Sequence, residues 1–233
     1  MSLNENRFNE VTHVIFDLDG TLIDSEKIYK NVFMKLAKEF DKEFSHELEM
    51  KILGRKEEDG AIIFCTDLEL PISVDEFLEL YYPICEETLT EPSLLPGAEK
   101  LVRHLAKHNI PIAIATSGNE WLSKIKTQNH VNLFSEFHHT VYGSSDPEVV
   151  NGKPAPDIYL ICASRFPDNP SPDKVLVFED APNGVEGAYS AGMQVVMIPA
   201  PEVEEELKRH ATLVLTTMED FVPETFGLPP YDE

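Results

Sequence analysis

Short apolar runs alternate along this chain with longer stretches in which apolar residues recur at helical spacing. The runs predict strands at residues 12–18, 110–115, 139–142 (a weaker candidate), 175–178, 195–198 and 213–215. The amphipathic stretches predict helices at residues 97–107, 157–166 and 183–191. Continuous apolar strands that alternate with helices are typical of a parallel sheet with both faces covered. The pattern therefore predicts an α/β protein.

The alternation is interrupted after the first strand. Residues 25–94 are rich in Glu, Lys, Leu and Phe, follow a helical pattern and contain no run with the character of a buried strand. Pro92, Pro96 and Gly97 mark the return to the alternating pattern. We therefore predict a helical insertion over residues 25–94 in a core formed by residues 1–24 and 95–233.

Composition agrees with a globular protein. The 233 residues, 42% of them apolar and 26% charged, suit one large domain or a domain with a sizeable insertion. No apolar run approaches the roughly 20 residues that a helix needs to cross a bilayer. The cysteines Cys65, Cys85 and Cys162 are widely spaced and form no CxxC motif, which argues against a disulfide framework or a structural zinc site. The corresponding prediction is a reduced, cytoplasmic location.

The charge balance excludes several partners. Nineteen Lys and Arg residues against 42 Asp and Glu residues give a formal net charge of −23. Nucleic-acid binding needs a basic stripe that displaces counterions from phosphates, and an anionic membrane surface would repel this chain. A small phosphorylated metabolite remains a suitable partner, because the fields of exposed charges fade over about 8 Å at physiological salt. No pattern specifies an oligomeric state, and a monomer is the simplest expectation.

Polar side chains follow four of the predicted strands at the points where these strands end. They are, in chain order, Asp17 and Asp19, Thr116 and Ser117, Lys153, and Glu179 and Asp180. Ligands of open parallel sheets bind outside the carboxyl ends of the strands, so we expect these residues to share one crevice. An Asp-x-Asp pair alone is weak support, since acidic turn residues are common. The convergence of four strand ends carries the prediction.

Carboxylates gathered in one place repel each other unless a cation lies among them. Oxygen ligands that only partly surround an ion suit Mg²⁺, which retains water and shares phosphate oxygens. Asp17 is then the candidate nucleophile towards phosphorus, and Asp19 is the candidate general acid and base. Thr116, Ser117 and nearby backbone N–H groups are candidates for binding the phosphoryl oxygens. Lys153 supplies a fixed positive charge to the phosphate and to Asp17.

One turn of the predicted insertion has two interpretations. Arg55, which follows Gly54, is a candidate substrate-binding residue that can reach an anionic or polar group. A helix stop with solvated charges explains the same residues equally well. The acidic residues that follow, Glu57 and Glu58 among them, are typical of a helix start.

The four strand-end segments resemble the four motifs of the haloacid dehalogenase-like hydrolases, over nearly the whole chain. These segments are Asp17-Leu18-Asp19-Gly20-Thr21, Ala115-Thr116-Ser117, Gly152-Lys153-Pro154 and Glu179-Asp180. The resemblance implies a Rossmann-like core with a helical cap inserted after strand one. It also implies a nucleophile at Asp17 and an acid/base at Asp19. Mg²⁺ would be held by the Asp17 side chain, the Asp19 backbone carbonyl and Asp180, with Glu179 nearby.

Finer features of the resemblance bear on the substrate. Dehalogenating relatives lack the second aspartate, so Asp19 indicates phosphoryl chemistry. Tyr29 stands where hexose-phosphate mutases carry a histidine, which counts against a mutase. Residues 95–101, 177–186, 191–197 and 226–229 are similar to a eukaryotic branch of the family that hydrolyses pseudouridine 5′-phosphate.

This branch implies pseudouridine 5′-phosphate as the first expected substrate of a phosphatase. A small polyol phosphate such as glycerol phosphate, or a sugar phosphate, is the second. A catalytically idle relative that binds a phosphorylated metabolite is the alternative of a different class, and the presence of all four motifs makes it the poorer interpretation.

Overall fold

A computed structural model describes residues 8–232, and these residues form a parallel sheet of six strands. The strands are β1 (His13–Phe16), β2 (Ile112–Thr116), β3 (Thr140–Tyr142), β4 (Val175–Glu179), β5 (Gln194–Met197) and β6 (Leu213–Val214). Their spatial order is β3-β2-β1-β4-β5-β6. The predicted α/β class and parallel sheet are thus confirmed, and every predicted strand is present with ends shifted by no more than a few residues.

The strand order reverses between β1 and β4, which lie next to each other at the centre of the sheet. Such a reversal leaves a crevice outside the carboxyl ends of the two strands, because the connections leave them in opposite directions. Phe16 pairs with Phe178, so the residues that follow these two phenylalanines emerge at the same level. The topology therefore fixes the place at which polar residues from several strands can meet.

Helices cover both faces of the sheet. They are α1 (Glu26–Glu39), α2 (His46–Ile52), α3 (Glu57–Asp67), α4 (Val74–Thr88), α5 (Ala98–Lys107), α6 (Glu120–Thr127), α7 (Val131–Phe134), α8 (Asp157–Ser164) and α9 (Pro182–Ser190). On one face, Leu101 and Leu105 of α5 pack with Phe226 of the C-terminal segment. On the other, Tyr159 of α8 packs with Val185 of α9. The strands between them are buried on both sides and consist of continuous apolar runs, as expected for such a sheet.

Helices α1–α4 follow β1 in the chain and form a helical layer with its own core. Phe33, Phe64, Phe77 and Tyr81 pack ring against ring in this layer, with centroids 4.9–6.3 Å apart. Leu122 of α6 joins the same cluster, so the layer also packs against the sheet-bearing part of the chain. No helix among residues 8–232 combines the length and the apolarity that a membrane span requires.

Candidate active site

Two acids and a lysine meet at the point where the strand order reverses. The in-register pairing of β1 with β4 makes Asp17 and Glu179 neighbours, and Lys153 reaches both from the loop after β3. Lys153 Nζ donates to Asp17 Oδ1 and to Glu179 Oε1, each at 2.6 Å, and to the Ala115 carbonyl at 3.3 Å. All three charged side chains are buried. Because an ammonium group has three protons and this one has three acceptors, its position is fixed.

Each carboxylate oxygen of Glu179 accepts two hydrogen bonds. Its Oε1 also accepts from the Tyr159 hydroxyl at 2.7 Å, and its Oε2 accepts from the backbone N–H groups of Asp180 and Ala181 at 2.9 Å. A Cβ atom on Gly184 would overlap the Glu179 carboxylate, so the first turn of α9 needs glycine there. Glu179 therefore orients Lys153 and the beginning of the loop that carries Asp180.

The electrostatics of this group favour a further cation. Burial raises the pKa of Asp17 from 3.8 to about 7, and Glu179 and Asp19 add to the rise while Lys153 opposes it. Burial also raises the pKa of Asp180 well above its ordinary value, with a further contribution from Glu179. Burial is the largest cause of both rises, and a cation among these acids would oppose it by favouring their charged forms.

Three of these acids offer oxygens that suit a metal ion. Asp17, Glu179 and Asp180 each contribute one oxygen, and these atoms lie within 4.8 Å of one another. Thr21 Oγ1 donates to Asp180 Oδ1 at 3.2 Å and helps to orient it. Gly20 has a φ of +76°, and a Cβ at this position would overlap Asp180 Oδ2. Position 20 must therefore be glycine for the Asp180 carboxylate to fit beside the turn. A buried set of carboxylate oxygens with too little positive charge fits a hard divalent cation such as Mg²⁺.

Asp19 lies outside this cluster and has a lysine of its own. Lys126 of α6, which is fully buried, donates from Nζ to Asp19 Oδ2 at 2.6 Å and to Oδ1 at 2.8 Å. The same ammonium donates to the Tyr29 hydroxyl at 3.0 Å. Ser25 Oγ donates to Asp19 Oδ1 at 2.5 Å, and Thr116 Oγ1 lies 3.5 Å from Oδ2. The two aspartates of β1 are therefore held by different cations from different parts of the fold.

The structure brings the residues predicted from the sequence to one place. Six of them line a cavity of about 90 Å³ between the sheet edge and the helical layer: Asp17, Asp19, Arg55, Thr116, Ser117 and Asp180. The seventh, Lys153, does not line the cavity but donates a hydrogen bond to Asp17, which does. Ser117 Oγ donates to the Gly54 carbonyl at 2.7 Å, and Arg55 Nε donates to the Lys51 carbonyl at 2.6 Å. The hydroxyl and the guanidinium Nε thus have partners within the protein.

Four further charged residues at this cavity were not singled out as site residues from the sequence. They are Glu26, Lys56 and Glu57, which line it, and Lys126, which contacts Asp19. Burial and the charges of Asp19 and Asp17 raise the pKa of Glu26 from 4.5 to about 8. Lys126 falls four residues after Leu122, on the buried stripe of α6, and a lysine at such a position is the one signal that the sequence offered.

The doubly wound sheet and the acidic cluster at its switch point define an α/β protein with carboxylates where such sheets bind their ligands. A sequence model of the haloacid dehalogenase-like hydrolases matches residues 11–192. The chain belongs to this family of hydrolases, as the motifs predicted.

Relatives with known names agree with the assignment. A protein of Drosophila melanogaster named "probable pseudouridine-5′-phosphatase" is 44% identical over 224 residues, which cover 96% of this chain and 97% of the fly protein. The (DL)-glycerol-3-phosphatase 2 of Arabidopsis thaliana is also 44% identical, over 226 residues that cover 96% of this chain and 94% of the plant protein. The family and these relatives confirm the prediction of an enzyme of the phosphatase class.

Solved structures agree with the fold. A hydrolase of this family from Entamoeba histolytica has a TM-score of 0.76 and 26% identity, with 93% of this chain and 97% of that chain covered. CbbY from Rhodobacter sphaeroides in complex with phosphate has a TM-score of 0.76 and 20% identity, with 90% of this chain and 96% of that chain covered. The second likeness concerns the fold alone.

Proposed function

We propose that this protein is a Mg²⁺-dependent phosphomonoesterase that works through a phosphorylated aspartate, with Asp17 as the nucleophile. The observation that carries the proposal is the buried Asp17 carboxylate, held by Lys153 at the switch point and flanked by two further acids. Its Oδ1 accepts from Lys153, whereas Oδ2 has no hydrogen bond from any residue between 8 and 232. A carboxylate fixed through one oxygen with the other free is suited to nucleophilic attack.

In the first step, an Asp17 oxygen forms a bond to phosphorus, and the bond from phosphorus to the alcohol oxygen breaks. Asp19, which must carry a proton when the substrate binds, gives this proton to the departing oxygen, so that a neutral alcohol leaves. Lys153 stays paired with Asp17 Oδ1 and offsets negative charge that builds up during attack. Thr116, at the end of β2 beside Asp19, is placed to bind a phosphoryl oxygen.

In the second step, a water molecule attacks phosphorus in the aspartyl phosphate. Asp19, now a carboxylate, takes a proton from this water. The bond between phosphorus and the Asp17 oxygen breaks, inorganic phosphate is released, and the Asp17 carboxylate is restored. Lys126 and Ser25 hold Asp19 in position through both proton transfers.

Mg²⁺ would be held by Asp17 and Asp180, with Glu179 beside them, and the backbone carbonyl of Asp19 as a further proposed ligand. When bound, the ion neutralises the clustered acids and draws negative charge from the phosphoryl oxygens. This assignment is supported by the oxygen cluster and by the raised pKa of Asp180.

We further propose that residues 25–94 act as a cap on the core formed by 1–24 and 95–233. Contacts across the boundary support a closed arrangement: Asn183 Nδ2 donates to the Leu53 carbonyl at 3.0 Å, and Lys56 Nζ donates to the Val149 carbonyl at 2.7 Å. The cavity of about 90 Å³ is small beside the roughly 300–1,000 Å³ of typical ligand sites. Substrate entry therefore requires the cap to open.

The proposed first substrate is pseudouridine 5′-phosphate, and the second is glycerol phosphate. Support comes from the two relatives named for these activities, each 44% identical. The proposed location is cytoplasmic, in line with the three free, buried cysteines, and the proposed state is a monomer. Nothing in the acidic composition suits a nucleic-acid partner.

The test is release of inorganic phosphate from a panel of nucleotide, pseudonucleotide, sugar and polyol phosphates, with Mg²⁺ or with a chelator. We expect Mg²⁺-dependent release and no turnover by Asp17→Asn. Asp168→Asn is the matched control, because this exposed aspartate pairs with His13 at the opposite end of β1. Turnover near the wild-type level in Asp17→Asn would refute the nucleophile. A higher kcat/KM for glycerol phosphate than for pseudouridine 5′-phosphate would reverse the order of the substrates.

A further inference from the structure

Glu57, the first residue of α3, brings a carboxylate of the helical layer to the wall of the cavity. Its Oε1 accepts from the backbone N–H of Asn119 at 2.8 Å and from Asn119 Nδ2 at 3.1 Å. Asn119 in turn caps α6 by accepting from the Leu122 N–H at 2.8 Å. The carboxylate is thus held in a definite position by the segment that follows β2.

The other oxygen of this carboxylate has no partner. Glu57 Oε2 is buried and makes no hydrogen bond with any residue of the described range 8–232. An unsatisfied buried acceptor costs about 1–3 kcal/mol, and more if it is charged, so native proteins satisfy nearly all such groups with protein, water or ligand. An unpaired oxygen at the wall of a substrate cavity therefore indicates a hydrogen-bond donor that arrives with the substrate.

The position of this carboxylate assigns the donor to one part of the substrate. A Cβ built on Gly118 would lie 3.5 Å from Thr116 Oγ1 and 3.6 Å from Glu57 Oε1. Glu57 is therefore next to the segment that would bind the phosphoryl group, but it belongs to the helical layer rather than to the sheet. In the proposed function the phosphoryl group binds at the sheet edge, so the alcohol portion would extend towards the helical layer.

Within residues 8–232, neither of the neighbouring cations forms an ion pair with this carboxylate, although both line the same cavity. Lys56 Nζ is directed to the Val149 carbonyl, 2.7 Å away, and Arg55 Nε is directed to the Lys51 carbonyl, 2.6 Å away. The carboxylate of Glu57 is consequently left to face the alcohol side of the substrate without an ion pair. A second phosphate on the alcohol would meet a like charge there, which opposes binding.

We propose that Glu57 Oε2 accepts a hydrogen bond from the alcohol portion of the substrate and that it selects the substrate class. The preferred substrates are phosphate monoesters whose alcohol carries a hydroxyl or N–H donor and no second phosphate. This inference rests on the proposed phosphatase function. Pseudouridine 5′-phosphate and glycerol phosphate both belong to this preferred class, whereas bisphosphates do not.

Three esters with the same carbon chain test the inference: propyl phosphate, glycerol 3-phosphate and propane-1,3-diol bisphosphate. We expect the wild-type kcat/KM to be highest for glycerol 3-phosphate and lowest for the bisphosphate. Glu57→Gln retains an acceptor for Asn119 and replaces the second oxygen by a donor. In this variant the ratio of kcat/KM for glycerol 3-phosphate to that for propyl phosphate should fall by about tenfold or more. The ratio for the bisphosphate to propyl phosphate should rise.

Glu58→Gln is the matched control, since Glu58 is the next residue and is exposed. Glu57→Met removes the contact with Asn119 as well as the free oxygen. If only cap closure is lost, kcat/KM falls equally for all three esters and the ratios keep their wild-type values, whereas a loss of recognition changes the ratios as in Glu57→Gln. Unchanged ratios in Glu57→Gln, with wild-type activity present, would overturn this inference alone. Failure of the wild type to release phosphate from any ester with Mg²⁺ would overturn both the inference and the proposed function.

Discussion

Replacement of Lys126 by methionine tests how the proposed acid is held. The ammonium group of Lys126 is fully buried and contacts both oxygens of Asp19, at 2.6 and 2.8 Å. Methionine has a similar length and fills the same space, but it donates no hydrogen bond. Ser25 would remain as a donor to Oδ1 and Thr116, at 3.5 Å, as a long contact to Oδ2, so that the Asp19 carboxylate loses its cation and its two short hydrogen bonds from Lys126.

The size of the effect follows from these contacts. Hydrogen bonds to charged groups contribute about 1.5–3 kcal/mol each, and two are removed. If about 3 kcal/mol of this favours the productive position of Asp19, proton transfer slows by roughly 10²-fold, since each 1.36 kcal/mol corresponds to about a tenfold change in rate. General acid catalysis contributes about 10²–10⁴-fold in all, so the expected loss is within the range that misplacement of an acid can cause.

The assay compares leaving groups that do and do not need a proton. An alkyl ester such as glycerol phosphate leaves as an alkoxide unless it is protonated, whereas nitrophenolate is a stable anion. For Lys126→Met we expect kcat/KM to fall by roughly 10²-fold with glycerol phosphate and by less than about tenfold with p-nitrophenyl phosphate. The control is Lys124→Met, because this lysine of the same helix is 69% exposed and pairs with Glu120 on the helix surface.

A double-mutant cycle decides whether Lys126 acts through Asp19. In an Asp19→Asn background, Lys126→Met should add little to the loss of kcat/KM for glycerol phosphate, because residues that act as a unit are not additive. Urea unfolding of each variant checks that it is folded under assay conditions. Equal losses for both leaving groups, or additive losses in the cycle, would refute the assigned role.

Three other predictions follow from single contacts. Lys153→Met leaves two buried carboxylates without their cation, so the free energy of unfolding in urea should fall by about 3–5 kcal/mol. Adding Glu179→Gln to this variant removes one of the two charges and should restore part of the lost stability. No recovery would contradict the pairing of Lys153 with Glu179. Gly20→Ala displaces Asp180, so the Mg²⁺ concentration for half-maximal activity should rise by about tenfold or more; an unchanged Mg²⁺ titration would count against this. Burial lowers the pKa of His139 from its ordinary value of 6.5. Below that pH, His139 binds a proton in the unfolded chain but not in the folded one, so the protein loses stability as the pH falls. His139→Gln should make the free energy of unfolding in urea less dependent on pH between about 7.5 and about 5.5, and an unaltered slope would exclude this source.

The sheet and the strand-end residues were predictable because local pattern determines them. Short apolar runs such as residues 175–178, alternating with amphipathic helices, are typical of strands buried in a parallel sheet, and parallel strands place their carboxyl ends at one edge. The first strand was predicted over 12–18, but β1 ends at Phe16. The chain leaves the sheet there, since Asp17 and Asp19 turn into the crevice and Gly20 adopts a positive φ.

Lys126 and Glu57 were not predicted as site residues, because only tertiary contacts give them their roles. Lys126 follows the residues it contacts by about 100 positions, and a lysine on a short amphipathic helix ordinarily lies in solvent. Glu57 does begin a helix, as its position among acidic residues indicated. Its proposed role in substrate recognition arises because the helical layer packs on the segment after β2. Packing between two layers leaves no periodic pattern in the sequence of either layer.

The balance of charge at the cavity also explains how an acidic chain can bind a phosphate ester. The two lysines that contact Asp17 and Asp19 are already paired, Lys153 with Asp17 and Glu179, and Lys126 with Asp19. Neither is free to neutralise an incoming dianion, and Asp180 adds a further acid to the same group. Arg55 and Lys56 also line the cavity, but they lie on the helical layer, so a cation placed among the acids of the sheet edge would supply positive charge where the phosphate must approach Asp17. On this reasoning the proposed Mg²⁺ is required for binding of the substrate as well as for its hydrolysis, and a chelator should abolish retention of inorganic phosphate in equilibrium dialysis.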